Sequence, residues 1–275
     1  MNIVTTTSVF PRDFAAEHIL DRLSEVGYSC LDMAFDYCVA ADHPFTGANW
    51  LEWAQALRAA ADRKGVRYTH AHACSSVHVR SEQMERCFEA CRILGIGYLV
   101  IHPVDNLDGN FICDAAEFIR INADAVRSWL PLAEKCGVTV LSENLLWGAS
   151  SDPRVIADLV RAVDHPRFNW CFDTGHANFS GFGMDILREV SVVPQSLHLQ
   201  DNHGPSSGDE HLLPGDGNID WEALLKLLHS VGYRGELVLE AHHQSLGAAD
   251  EERGDILRDL LSRALKMKAY LQTLE

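Results

Sequence analysis

Between Ser196 and Trp221 the chain reads SLHLQDNHGPSSGDEHLLPGDGNIDW, its densest run of side chains able to ligate a cation or move a proton. His198, Asp201, His203, Asp209 and His211 fall here, among four glycines and two prolines that suit irregular backbone. The run opens as a short apolar strand, SLHLQ, and closes at the entry of a helix capped by Asp220. In that helix Trp221, Leu224, Leu225 and Leu228 form the apolar stripe. An apolar strand feeding a polar loop is how a buried sheet delivers side chains to a reaction centre, so the partners belong on other strands.

Those strands are legible as short apolar runs alternating with helical patterns. NIVTTT, YSCLDMAF, VRYTHAHA, IGYLVIHP, VTVLSENL, FNWCFDTGHA, SLHLQ and ELVLEAHH read as strands. Helices are expected at DFAAEHILDRLSEVG, Trp50–Lys64, from Ser81, across Asp114–Cys136, at DPRVIADLVRAV, near Met184–Val190, from Trp221, and from Asp255 to Leu271. Strands separated by helices must be parallel and joined by crossovers. Their continuous apolar character fits a sheet covered on both faces. Eight such units in about 250 residues predict a single-domain α/β fold, the (β/α)₈ TIM barrel, spanning residues 1–275. A doubly wound sheet is the alternative, but no GxGxxG follows the first strand.

In a barrel the reactive side chains sit where strands end. Strand three ends in His70 and His72, strand four in His102, and strand five in Glu143. Strand six ends in Asp173 with His176 just beyond, strand seven in His198, and strand eight in Glu240. Six successive strands therefore end in His, Asp or Glu, which predicts a metal site. Two glutamates, an aspartate and an imidazole suit a hard divalent cation, Mn²⁺ first, with Mg²⁺, Co²⁺ or Zn²⁺ also fitting. No thiolate and no organic cofactor is called for. His70 and His72 share a barrel face and differ only in depth, and His72 is the preferred ligand.

The motifs SEN, FDTGHAN, LHLQDN…DEHLLPGDGNIDW and VLE resemble those of the xylose isomerase-like TIM barrel superfamily, over essentially the whole chain. That group includes sugar-phosphate isomerases and epimerases, inosose-processing enzymes and endonuclease IV. The resemblance implies that Glu143, Asp173, His198 and Glu240 ligate one divalent ion. It also implies that Glu143 and Glu240 are the acid/base pair, exchanging protons through a metal-stabilised enediolate. The substrate would be a small sugar, sugar phosphate or cyclitol, and His176 would contact one of its oxygens. His72, His102, His176, Asp209 and His211 are then substrate-binding or additional metal ligands, with Trp147 and His203 at the pocket wall.

Two departures set this chain apart from the family's ketose 3-epimerases. QDNHG follows the strand-seven histidine where they carry an arginine, and WGAS stands where they carry a further glutamate. Endonuclease IV offers a different class, a zinc phosphodiesterase on abasic DNA. There His72, His102 and Glu143 would hold one zinc, the four strand-end ligands a second, and His176, Asp209 and His211 a third. A metal-dependent dehydratase of a polyhydroxylated ring is the third reading.

Lys plus Arg number 23 against 39 Asp plus Glu, a formal charge of −16. That balance, with acidic, glycine-rich loops (HPVDNLDGNF, DNHGPSSGDEH), disfavours nucleic acid. No cluster of Lys, Arg and Gly marks a phosphate site in the late loops, which favours an unphosphorylated carbohydrate. No run is apolar enough for a membrane span and no secretion signal opens the chain, so a cytoplasmic location is expected; a homo-oligomer is compatible. The eight cysteines are read as buried reduced thiols. His18, His78, His165 and His229 are read as solvated, and His242 and His243 as able to reach substrate.

Overall fold

A computed structural model of the chain describes residues 1–274. Eight parallel strands, β1 (Ile3–Thr6), β2 (Cys30–Ala34), β3 (Arg67–His72), β4 (Tyr98–Ile101), β5 (Thr139–Glu143), β6 (Phe168–Asp173), β7 (Ser196–His198) and β8 (Leu237–Leu239), run in the order β8-β1-β2-β3-β4-β5-β6-β7. Just past β7, Leu199 bridges Leu239 of β8 in parallel, and the Leu199 amide donates to the Val238 carbonyl at 2.8 Å, closing the barrel.

Helices α1 (Ala16–Val26), α2 (Trp50–Lys64), α3 (Glu82–Leu94), α4 (Ala115–Arg127), α5 (Leu130–Cys136), α6 (Pro153–Val163), α7 (Thr174–Phe179), α8 (Trp221–Ser230), α9 (His243–Leu246) and α10 (Asp250–Thr273) complete the fold. The main apolar core lies between the strands and these helices and includes Leu20, Leu57, Phe88, Trp129, Ile156, Leu224 and Leu260. Two small clusters, Val4–Cys30–Val238 and Val100–Leu141–Cys171, are separate from it. Side chains alternate along a strand with a period of two. His102, Glu143, Asp173 and Glu240 thus lie two positions beyond Val100, Leu141, Cys171 and Val238, on the same strand face. The barrel stacks an apolar layer beneath a polar one, and the polar layer faces the loops.

The continuous helix expected over Asp114–Cys136 is broken at Ser128–Trp129. Pro131 has no amide hydrogen, and its ring would meet the Arg127 carbonyl four residues back. The loop after β4 forms a small antiparallel hairpin, Asn106–Leu107 against Asn110–Phe111. Its turn residues Asp108 and Gly109 both have positive φ, 51° and 84°, as the tight hairpin turn requires. The last helix starts at Asp250 rather than Asp255. Six cysteines are buried, but Cys74 is half-buried and Cys113 exposed, which corrects the uniform reading; all eight are free thiols. No helix among the described residues is long and apolar enough to cross a membrane.

Candidate metal centre

Strand ends β5, β6, β7 and β8 converge Glu143, Asp173, His198 and Glu240 so that one ligand atom from each lies within 4.8 Å of the others. His198 Nδ1 lies 2.8 Å from Glu143 Oε1 and 3.1 Å from Glu240 Oε2. All four residues are buried. Three carboxylates this close repel one another, by about 3–4 kcal/mol per pair at an effective dielectric of ~20. Glu143 Oε2 and Asp173 Oδ2 have no hydrogen-bond partner although buried. Buried, unpartnered carboxylate oxygens within such a group fit a hard divalent cation.

The electrostatics without a cation show the same demand. Burial would raise the Glu143 carboxyl, but the charge and hydrogen bond of His198, with His102 close by, outweigh it and hold it below the ordinary range. Glu240 is likewise held low against burial by His198 and His72. Asp173 is pushed up to about 7, chiefly by burial, with Glu143 and Glu240 adding to the shift and His176 opposing it.

A second group lies beside the first. Asp209 Oδ1 is 3.5 Å from His176 Nε2 and 3.1 Å from His211 Nε2. His176 Nδ1 lies 2.8 Å from the Asn144 carbonyl, and His211 Nδ1 2.8 Å from the Glu240 carbonyl. A carbonyl only accepts, so each Nδ1 carries a hydrogen and each Nε2 is turned toward Asp209, to which it donates while protonated and where a cation would take its lone pair. This is the arrangement that fixes imidazoles as metal ligands. A third group forms from His72, Glu143 and His198. His102 joins it at the edge, with Nε2 3.0 Å from His72 Nε2 and 3.3 Å from Glu143 Oε2.

These residues face one cavity of about 150 Å³, lined by Thr6, Ser8, Asp36, Tyr37, His72, His102, Glu143, His176, Asp209, His211, Glu240 and His242, with Ala34 its one aliphatic contact. No lysine or arginine is among the lining residues. His70 lies one layer deeper, against Tyr98, where burial lowers its pKa to about 3. His242 stacks on His211 with centroids 4.1 Å apart, while His243 is exposed. Trp147 is 49% exposed, between the Phe111 and Phe179 rings, and His203 is exposed with its ring on Glu210; neither lines the cavity. His18 and His78 are exposed; His165 and His229 are half-buried, the former 3.3 Å from Glu134.

A model of the xylose isomerase-like TIM barrel matches residues 20–264. The chain belongs to that family. Within it, a probable endonuclease 4 of Nitratidesulfovibrio vulgaris is 26% identical over 204 residues, covering 66% of this chain and 70% of that protein. An inosose dehydratase of Clostridium perfringens is 22% identical over 182 residues, covering 60% and 57%. The chain spans about half the length of the first curated relatives it matches, or less. Among solved structures, a D-psicose 3-epimerase of Clostridium cellulolyticum, crystallised with D-tagatose, superposes with a TM-score of 0.76 at 17% identity over 97% of this chain and 99% of that one.

Sequence reasoning missed the residues that hold this site in shape. Asp201, counted among the metal-capable side chains, is instead the organiser of its loop. Its Oδ1 accepts from the Asn202 and Ile219 amides, and its Oδ2 from the Gly215 amide and Trp221 Nε1 at 2.7 Å. Asn144 Oδ1 accepts from the Asp173 amide and its Nδ2 donates to the Asp173 carbonyl, tying β5 to β6 beyond their ends. Asp32 comes from β2 and Asp36 from the turn just past it, and the end of that strand carries no His or Glu to attract notice. Asp32 is buried and pushed up to about 6, mainly by burial. The available signal was the amide-rich pattern S-E-N, Q-D-N.

Asp201→Asn should therefore act through folding. Its amide group would turn hydrogens toward two of those four donors, leaving buried groups unpaired at about 1–3 kcal/mol each. We expect a lower melting temperature and faster proteolysis of the loop from 202 to 218. Unchanged melting and unchanged proteolysis would show that Asp201 does not organise it.

Proposed function

We propose that the protein is a divalent-cation-dependent isomerase or epimerase of a small, unphosphorylated polyhydroxy ketone or cyclitol. The observation that carries this reading is the pair Glu143 and Glu240, on non-adjacent strands and facing one polar cavity with His198 between them. A divalent ion held by Glu143, Asp173, His198 and Glu240 would polarise a carbonyl and acidify the adjacent C–H bond. One glutamate takes that proton, and the carbonyl electron pair moves to oxygen as the carbon–carbon double bond of an enediolate forms. Return of a proton to the opposite face gives the epimer; return to the neighbouring carbon gives the isomer. Thr6, Ser8, Asp36 and Tyr37 supply hydroxyl partners along the wall. A lining without lysine or arginine supports a substrate without phosphate. Manganese is the favoured ion, as the donors are mixed oxygen and nitrogen.

A zinc phosphodiesterase on abasic DNA is the second reading, favoured by the His176–Asp209–His211 group and the endonuclease 4 relative. The formal charge of −16 weighs against it. The cation-loaded protein should be incubated with a panel of ketoses and inososes in deuterated water. Label is expected on a carbon next to the carbonyl without loss of water. Label accompanied by loss of water assigns a dehydratase. Nicking of abasic-site duplex that His211→Ala abolishes, with no label in any ketose, overturns the proposal in favour of the nuclease.

A further inference from the structure

Gln200 stands between the first and second ligand groups. Its side chain is fully buried, and Nε2 donates to Asp173 Oδ1 at 3.2 Å and to Asp209 Oδ1 at 3.3 Å. The amide has two hydrogens and the two carboxylates each take one. Rotating the group by half a turn would set Oε1 against both acids, so its orientation is fixed. Oε1 is buried without a partner, which is the cost of that orientation. The main chain pins the residue as well: its amide and carbonyl both bond Thr174 Oγ1, at 3.1 and 2.7 Å.

Gly175, between Asp173 and His176, makes room for it. A Cβ there would come within 2.1 Å of the Gln200 Cδ and Oε1. The carboxamide thus rests on the backbone that joins a ligand of the first group to a ligand of the second. Removing a donor that orients a ligand typically costs 10–100-fold in metal affinity. Here one nitrogen orients two ligands belonging to two groups.

We propose that Gln200 is a positioning residue that couples two cation sites, so that filling Glu143–Asp173–His198–Glu240 sets the affinity of His176–Asp209–His211. This rests on the second group holding a cation. When a cation draws Asp173 toward the first centre, the Gln200 amide follows and its hold on Asp209 changes. Neighbours sharing a hydrogen-bond network are where non-additivity is expected.

The test is a binding cycle on metal-stripped protein, titrated with Mn²⁺ and read by the resonance signal of the free ion. Wild-type protein is expected to take two ions. Gln200→Met keeps length and bulk but no donor, and Gln200→Asn falls short of both acids. Either should weaken the second ion at least about 10-fold, with melting temperature and circular dichroism reporting that the fold survives. Asp209→Ala should shift first-site affinity when Gln200 is present and leave it unchanged when Gln200 is replaced. Two ions with additive effects overturn the coupling while leaving the two-ion site standing. A single ion in the wild type overturns both.

Discussion

Replacing Glu240 by glutamine is expected to lower proton exchange by about 10²–10⁴-fold, the usual worth of a positioned acid or base. The substitution changes charge and basicity but hardly any shape. Glu240 Oε2 sits 3.1 Å from His198 Nδ1 and Oε1 3.5 Å from His72 Nδ1, and these imidazoles keep its carboxyl below the ordinary range despite burial. It is therefore ionised at neutral pH and ready to accept a proton. Glutamine has no basic oxygen to do so. It also removes one negative charge from the ligand set, so the assay must be run at saturating cation, with bound ion measured in parallel. Deuterium wash-in to the carbon beside the carbonyl separates the two effects. If the Glu240→Gln protein, fully loaded, exchanges within about 3-fold of wild type, the two-glutamate reading is lost. Loss of kcat at unchanged KM would place the defect in the chemical step.

The contrast between the two glutamates sharpens this test. Glu143 is wholly buried and bonded to His198, with His102 at 3.3 Å, whereas Glu240 retains some exposure at the cavity. Loss of Glu143 therefore removes a ligand shared by two groups, and Glu240 is the cleaner probe of proton transfer.

The sequence announced the barrel through alternation of apolar runs and helical stripes, because each strand is buried on both faces and each helix on one. It announced the six strand ends that carry His, Asp or Glu by the same logic, since a period of two places His102, Glu143, Asp173 and Glu240 above Val100, Leu141, Cys171 and Val238. What it hid were contacts between residues far apart in the chain. Nothing local to Gln200 reveals that its amide reaches Asp173 and Asp209 across the turn at Gly175. Asp201 looked like a ligand because its type is right; only the four donors converging on it show a structural acceptor. Trp147 and His203 looked like pocket walls by nearness in sequence, but the hairpin at Asn106–Phe111 and the acid at Glu210 draw them outward.

Removing the cation should lower the melting temperature by an amount that grows with pH. Without it, burial opposes charge on His72 and His211, but hydrogen bonds to Glu240 and Asp209 outweigh burial and raise both to about 9. Asp173 is raised to about 7 by burial. A cation at the first centre needs the ionised Asp173 carboxylate, and one at the second group needs the His211 lone pair, so binding below these values must displace protons, and affinity rises with pH. The raised histidines act in the opposite sense on the cation-free fold. Their contribution is fully present below the unfolded pKa of about 6.5 and is lost as pH climbs through about 9. Between roughly pH 6.5 and 9 the bare protein therefore loses this support while the loaded protein gains affinity. Cation at about 100 times its dissociation constant adds about 2.7 kcal/mol, or roughly 5–10 °C for a domain of this size. Thermal melts with Mn²⁺ and with chelator at pH 6 and pH 8 measure the difference directly. A gap that is absent, or larger at pH 6, would mean that these histidines and carboxylates do not bind the ion, and proton release measured by calorimetry in two buffers would fail with it.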